Sequence, residues 1–217
     1  MRRVPARKSR AEAVAISGSL PAVNIHRRPL GYEQRLPDRD PASIVLVVIH
    51  CTELPDLETA REYGERIHYP ESRTGNAGHF YITRRGKTEC WIDPARIAHH
   101  AAGFNDRSIG IELVNLGRYP NWYHSNSQTP RQPYTPSQTA ALIGLLQHLK
   151  SLYPGLTLIA GHQDLDQREI PAEDDQSVMI SRKIDPGPLF PWQQIQSAVY
   201  FTRICSALPL NRSRQGT

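Results

Sequence analysis

Two histidines stand directly behind apolar, strand-like runs. His50 follows Ile44-Val45-Leu46-Val47-Val48-Ile49, and His162 follows Leu156-Thr157-Leu158-Ile159-Ala160-Gly161. Side chains at strand ends can converge at one edge of a sheet, and convergence suits metal binding. A carboxylate, Asp185, lies in Arg182-Lys183-Ile184-Asp185-Pro186-Gly187-Pro188, where the prolines restrict the backbone around it. Two imidazoles and one carboxylate with an open fourth position make a catalytic zinc site rather than a closed structural one. Taken singly, each residue has a plainer reading: a half-buried histidine with satisfied hydrogen bonds, or a carboxylate capping a turn. Glu112 lies in Ile109-Gly110-Ile111-Glu112-Leu113, where alternation puts the apolar side chains on the face opposite the acid. An acid on the inward face of a strand is unfavourable unless paired or functional, so Glu112 is either half of an ion pair or a catalyst.

Positioning these groups falls to strands and helices in alternation. The run at 44–49 is continuous and β-branched, as expected for a central strand covered on both faces. Residues 56–68 read as a helix with Asp56 as N-cap, and 79–83, 88–92, 108–114 and 156–160 read as strands. Residues 93–105, with His99 and His100, and 115–134, rich in Asn, Ser, Pro and Tyr, read as loops. Thr135-Pro136-Ser137-Gln138 combines a Thr N-cap, Pro at N1 and Gln at N3. Leu142, Leu145, Leu146, Leu149 and Leu152 follow at helical spacing. A further helix is expected over 191–201. The fold class is α/β, one domain with a central mixed β-sheet flanked by helices. The expected division is an irregular N-terminal arm over 1–42, laid on the domain or mobile, a catalytic domain over 43–201, and a flexible tail over 202–217.

Several function classes are disfavoured. The net charge of +5 comes largely from the two ends, 1–10 and 211–217, and the nearly balanced body lacks the basic and aromatic interleaving of a single-strand binder. No nucleic-acid partner is expected. No apolar run approaches the 18 residues of a membrane span. Cys51, Cys90 and Cys205 form no CxxC pair, which argues against a disulfide framework and favours a reducing compartment. The basic start is followed by a run broken by Glu12, Gly18 and Pro21, a poor export signal. A cytoplasmic monomer is expected, with a periplasmic location as the alternative if an export signal is missing from this sequence.

The segments VVIHCTE (47–53), GHFYITRRGK (78–87), HHAAG (99–103), NDRSIGIELVN (105–115), AGHQDL (160–165) and RKIDPGPLFPW (182–192) resemble, in order and approximate spacing, the type 2 N-acetylmuramoyl-L-alanine amidase family. That family includes phage amidase lysozymes and shares its fold with peptidoglycan recognition proteins. The resemblance implies a zinc-dependent amidase that cleaves between the lactyl group of N-acetylmuramic acid, or its 1,6-anhydro form, and L-alanine in peptidoglycan or muropeptides. It implies His50, His162 and Asp185 as Zn2+ ligands, the trio proposed from the residues themselves. It also implies Glu112 and Lys183 as catalytic residues, Asn105 and Arg107 as substrate contacts, and His100 as either a substrate contact or a residue that supports a metal ligand from behind. Trp91, Trp122 and Trp192 are best read as packing, with Trp122, in the long loop, also a candidate for stacking on a sugar in the substrate.

The pattern departs from the family in places. We align His100, rather than His99, with the family's HAG histidine. Gly78 stands where phage members carry a tyrosine, so Glu112 has to cover that role. His79 is expected to be structural, Cys51 a small buried residue, and His26, His68, His124 and His148 surface or packing residues. The span between His162 and Lys183 is longer than in the family, and the acids Glu169, Glu173, Asp174 and Asp175 of the 166–181 insertion either fence the cleft or belong to a tolerated surface loop. The rival readings are a peptidoglycan-binding protein of this fold without activity, against which the retained Glu112 and Lys183 speak, and another zinc hydrolase such as a peptidase.

Overall fold

Strand and helix alternate as the sequence periods demand. The computed structural model describes residues 23–204. It contains β1 (Ile25–Arg27), β2 (Leu46–Cys51), α1 (Leu57–Gly64), β3 (Phe80–Ile82), β4 (Thr88–Cys90), β5 (Ser108–Leu113), α2 (Pro136–Leu152), β6 (Leu158–Gly161), α3 (His162–Leu165), β7 (Glu169–Pro171), β8 (Met179–Ser181), α4 (Trp192–Ala198) and β9 (Thr202–Arg203). Seven strands form one mixed sheet in the order β1-β4-β3-β5-β2-β6-β9, and only the β3–β4 pairing is antiparallel. β2 is buried at every position because both its faces are covered.

Alternation sorts its side chains into two cores. Val47 and Ile49 join Ile109, Ile111 and Leu113 of β5 under α2, whereas Leu46 and Val48 meet Ala101, Ala160 and Leu165 on the opposite face. α2 starts with the expected capping box between Thr135 and Gln138 and with Pro at its first turn. Its leucines 142, 145, 146 and 149 are all buried in the sheet core, and truncating one to Ala costs about 2–5 kcal/mol. Leu152, expected in that stripe, is exposed at the last residue of the helix.

Two expectations need correction, and a third offers two alternatives. The arm over 1–42, expected to be irregular and laid on the domain or mobile, is laid on the domain within the described residues: β1 pairs with β4, and Leu30, Tyr32 and Leu36 are buried beside Tyr81, Trp91 and Ile92. Residues 1–22 lie outside the described residues. The expected tail supplies β9, whose Thr202 N–H donates to Thr157 O at 2.8 Å while the Ile204 N–H donates to Ile159 O at 3.0 Å, extending the sheet past β6; residues 205–217 are not described. The helix expected over 56–68 is capped by Asp56 but stops at Gly64, since the next segment turns back and both His68 and Tyr69 donate to Thr74 O. The 166–181 insertion forms a separate β7–β8 hairpin.

Candidate functional site

Strand parity and register bring the site together. Parallel pairing sets His50 directly opposite Glu112 and Ile49 opposite Gly161, so His162 follows at the same level. His50 shares its face with Leu46 and Val48, the side away from α2, and Glu112 faces the same way because Ile109, Ile111 and Leu113 point to α2. These parallel strand ends open into a cleft of about 960 Å³ whose lining includes His50, Glu112, His162, Lys183 and Asp185. Asp185 arrives from the loop after β8, with Tyr134 Oη donating to Pro186 O at 2.7 Å behind it.

The ligand trio converges. One donor atom from each of His50, His162 and Asp185 lies within 4.8 Å of the others, all three residues being buried. His50 Nδ1 is 2.9 Å and His162 Nδ1 3.2 Å from the same Asp185 Oδ2, and Asp185 Oδ1 is buried without a partner. Proton bookkeeping shows why a cation suits the site. Ser108 Oγ donates to Phe104 O at 2.7 Å, so it accepts from His100 Nε2 at 3.2 Å. His100 Nδ1 then accepts from His50 Nε2 at 3.0 Å, which leaves His50 Nδ1 a bare lone pair facing the carboxylate. Burial lowers His50 to about 4, so at neutral pH it brings no charge of its own. Burial alone would raise the Asp185 carboxyl, but the His162 imidazole beside it holds it well below the usual carboxylate range, hence ionised. A bare lone pair, a second imidazole and an ionised carboxylate within 4.8 Å of one another fit a divalent ion, and two nitrogens with one oxygen are a zinc donor set.

Beside the trio, Glu112 is half-buried against the cleft. Burial, then the Asp185 charge, pushes its carboxyl up to about 8 against the opposing pull of Lys183. Gly78 makes the room: a Cβ there would stand 2.9 Å from Glu112 Cγ and 3.2 Å from Gly110 O. A tyrosine at 78 and this placement of Glu112 are therefore mutually exclusive. Position 81 supplies a tyrosine, but its hydroxyl accepts the Gly78 N–H at 3.1 Å and its ring stacks on Trp91.

The remaining expected residues divide. His100 lines the cleft and also hydrogen-bonds His50, and it lies on Gly110, where a Cβ would come within 2.6 Å of the ring. Asn105 lines the cleft, yet its Oδ1 accepts the His100 and Ala101 N–H groups at 3.0 and 2.8 Å, which shapes the loop holding His100. Arg107 and Trp122 are not among the lining residues. Arg107 pairs with Asp106 and lies over Phe104; Trp122 donates to Glu53 O at 2.9 Å and packs near Leu57 and Tyr63. His79 is structural, accepting the Gly110 N–H and donating to Arg96 O. Cys51 is buried, with its thiol raised well above the ordinary value by burial. His68, expected outside the site, lines the cleft with Tyr69 and His99.

None of the four insertion acids lines this cleft; Asp166, Gln167 and Arg168 do. Asp174 instead accepts from Ser125 N and Oγ, both at 2.6 Å, and ties the hairpin to the long loop. Ser108 and Gly110 went unrecognised in the sequence, although both lie in the matching segment 105–115.

The profile of the N-acetylmuramoyl-L-alanine amidase family matches residues 40–188. The chain is 33% identical over 120 residues to the N-acetylmuramoyl-L-alanine amidase AmiD of Escherichia coli K12, covering 51% of this chain and 38% of AmiD. It is 29% identical over 182 residues to the 1,6-anhydro-N-acetylmuramyl-L-alanine amidase AmpD of Haemophilus influenzae, covering 74% of this chain and 85% of AmpD. The chain thus spans less than half the length of AmiD. Among solved structures, the endolysin N-acetylmuramoyl-L-alanine amidase LysCS from Clostridium intestinale superposes with a TM-score of 0.57 at 20% identity, covering 85% of this chain and 99% of that one, a likeness of fold.

Proposed function

Since the chain belongs to the N-acetylmuramoyl-L-alanine amidase family, we propose that it hydrolyses the amide between the lactyl group of N-acetylmuramic acid, or its 1,6-anhydro form, and L-alanine, using one zinc ion. The observation that carries this reading is the convergence of His50, His162 and Asp185 with Glu112 in register beside His50, at the base of an open cleft. A cleft of this size accommodates a sugar and a short peptide. AmiD and AmpD bear the names of enzymes acting on this bond.

His50, His162 and Asp185 would hold the ion. Zinc, when bound, supplies a Lewis acid that acidifies water at neutral pH and polarises the scissile carbonyl, and its charge draws down the neighbouring carboxyl. Glu112 takes the proton from the water whose oxygen bonds to the carbonyl carbon. As the carbon–nitrogen bond breaks, it returns that proton to the departing amine of L-alanine. Lys183 places positive charge where negative charge develops on the carbonyl oxygen. His100 and Ser108 hold the His50 ring in the tautomer that leaves Nδ1 without a proton, free to serve as a ligand.

The test combines zinc stoichiometry with release of the stem peptide from a purified muropeptide. One zinc per chain and appearance of a free L-alanine amino terminus are expected, with Glu112→Gln keeping the zinc and losing turnover. A zinc-loaded wild type that releases no peptide from either intact sacculi or soluble anhydro-muropeptides would rule the activity out. The same two substrates, with cell fractionation, decide between a recycling enzyme of the cytoplasm and a wall-degrading enzyme outside it.

A further inference from the structure

The segment that delivers Lys183 and Asp185 is held from behind by an ion pair that neither the zinc nor the proton transfers require. Arg118 and Glu53 pair with side chains only 1% and 11% exposed. Glu53 Oε1 accepts from Arg118 Nε at 2.8 Å and from its backbone N–H at 3.1 Å, and Oε2 accepts from Nη2 at 2.9 Å. The same guanidinium donates from Nη1 to Ser181 O at 3.1 Å and to Gln128 Oε1 at 3.1 Å, and from Nη2 to Arg182 O at 3.3 Å. Ser181 and Arg182 immediately precede Lys183, and Glu53 closely follows His50.

The backbone around the pair is shaped for it. Glu53 adopts φ +51°, in the left-handed region, and its carbonyl accepts the Trp122 indole N–H at 2.9 Å. Gly117 has φ +52°, and a Cβ there would stand 2.6 Å from Glu53 Cγ, so only glycine admits the carboxylate. A pair serving stability alone is commonly replaceable by apolar side chains of similar volume. Apolar side chains would leave the carbonyls of Ser181 and Arg182 without their donors. A lysine, lacking the planar fork, could not serve the carboxylate and both carbonyls at once.

We propose that Arg118, held by Glu53, is a positioning residue that fixes the Lys183–Asp185 segment against the end of β2 and thereby sets zinc affinity and the placement of the Lys183 charge. The zinc part rests on the reading given under Proposed function; the positioning of the segment does not. The test uses the full chain carrying Glu53→Leu with Arg118→Met, and separately Arg118→Lys, against wild type. Hydrogen exchange of the metal-free proteins is followed at 181–185, β2 and β5, and zinc affinity is measured by competition with a chromophoric chelator. We expect at least tenfold faster exchange confined to 181–185, with zinc bound roughly 10–100-fold more weakly. Folded variants that match wild type in both readouts would overturn the proposal, as would exchange that quickens equally in β2 and β5, the mark of general support for the fold. If the double variant does not fold, Arg118→Lys decides by the same criteria. A wild type that binds no zinc defeats the proposed function, while exchange at 181–185 still decides the role of Arg118.

Discussion

Replacing Glu112 by Gln should stabilise the metal-free protein, and by an amount that grows with pH. In the folded chain burial and the Asp185 charge move the carboxyl from its ordinary 4.5 to about 8, so the native state holds a proton that the unfolded state has already released. Stability from this group is fully present below pH 4.5 and is lost as pH rises through about 8, because the native state binds more protons throughout that window. Each tenfold in proton affinity is worth about 1.4 kcal/mol, which sets the full penalty at about 4–5 kcal/mol. Between about pH 5.5 and about pH 8.5 the same linkage predicts a loss of about 3 kcal/mol, and the open cleft, which wets one side of the carboxyl, brings this down to about 2–3 kcal/mol. Glutamine is nearly isosteric and does not titrate. Urea unfolding of chelator-treated wild type and Glu112→Gln at the two pH values measures the difference directly. The variant should gain on wild type by about 2–3 kcal/mol as pH rises. A pH-independent difference, or a variant less stable at the alkaline end, would refute the placement of Glu112 as a half-buried acid without an ion-pair partner.

Three further outcomes follow from the geometry. Gly78→Tyr should displace Glu112, whose Cγ lies 2.9 Å from the Cβ position, leaving one zinc per chain but lowering turnover by about 100-fold or more, read from zinc content and peptide release. Gly110→Ala puts a methyl within 2.6 Å of the His100 ring and should weaken zinc binding about 10–100-fold by breaking the hydrogen bond that orients His50; an unchanged affinity would sink that orienting role. Lys183→Met should leave zinc affinity within a few-fold of wild type while kcat falls about 100–1,000-fold with little change in KM, as expected for charge used in the transition state.

Much of the site was legible in the sequence because its signals are local. A β-branched run ending in histidine reads as a buried strand whatever surrounds it, and alternation along 109–113 determines that Glu112 faces away from the apolar side chains. Likewise Thr135-Pro136-Ser137-Gln138 specifies the start of α2 through hydrogen bonds within one turn. The short strands β1 and β9 were not legible for a complementary reason. Three-residue β1 and two-residue β9 are too short to show a period, and they are strands only because β4 and β6 offer them open edges.

The identity of the chemical groups was thus determined by the sequence alone: two imidazoles behind apolar strands, a carboxylate among prolines, an acid on the polar face of a strand and a lysine beside the carboxylate. Which of them meet was decided by tertiary structure. The register of β2 against β5 and β6 sets His50 level with Glu112 and His162, and no local pattern encodes register between strands so far apart in the chain. Tertiary packing also left Arg107 and Trp122 outside the lining of the cleft and set His100 against His50. It joined Arg118 to Glu53 across 65 residues, a contact whose partners attract each other only once the folded core has removed them from water.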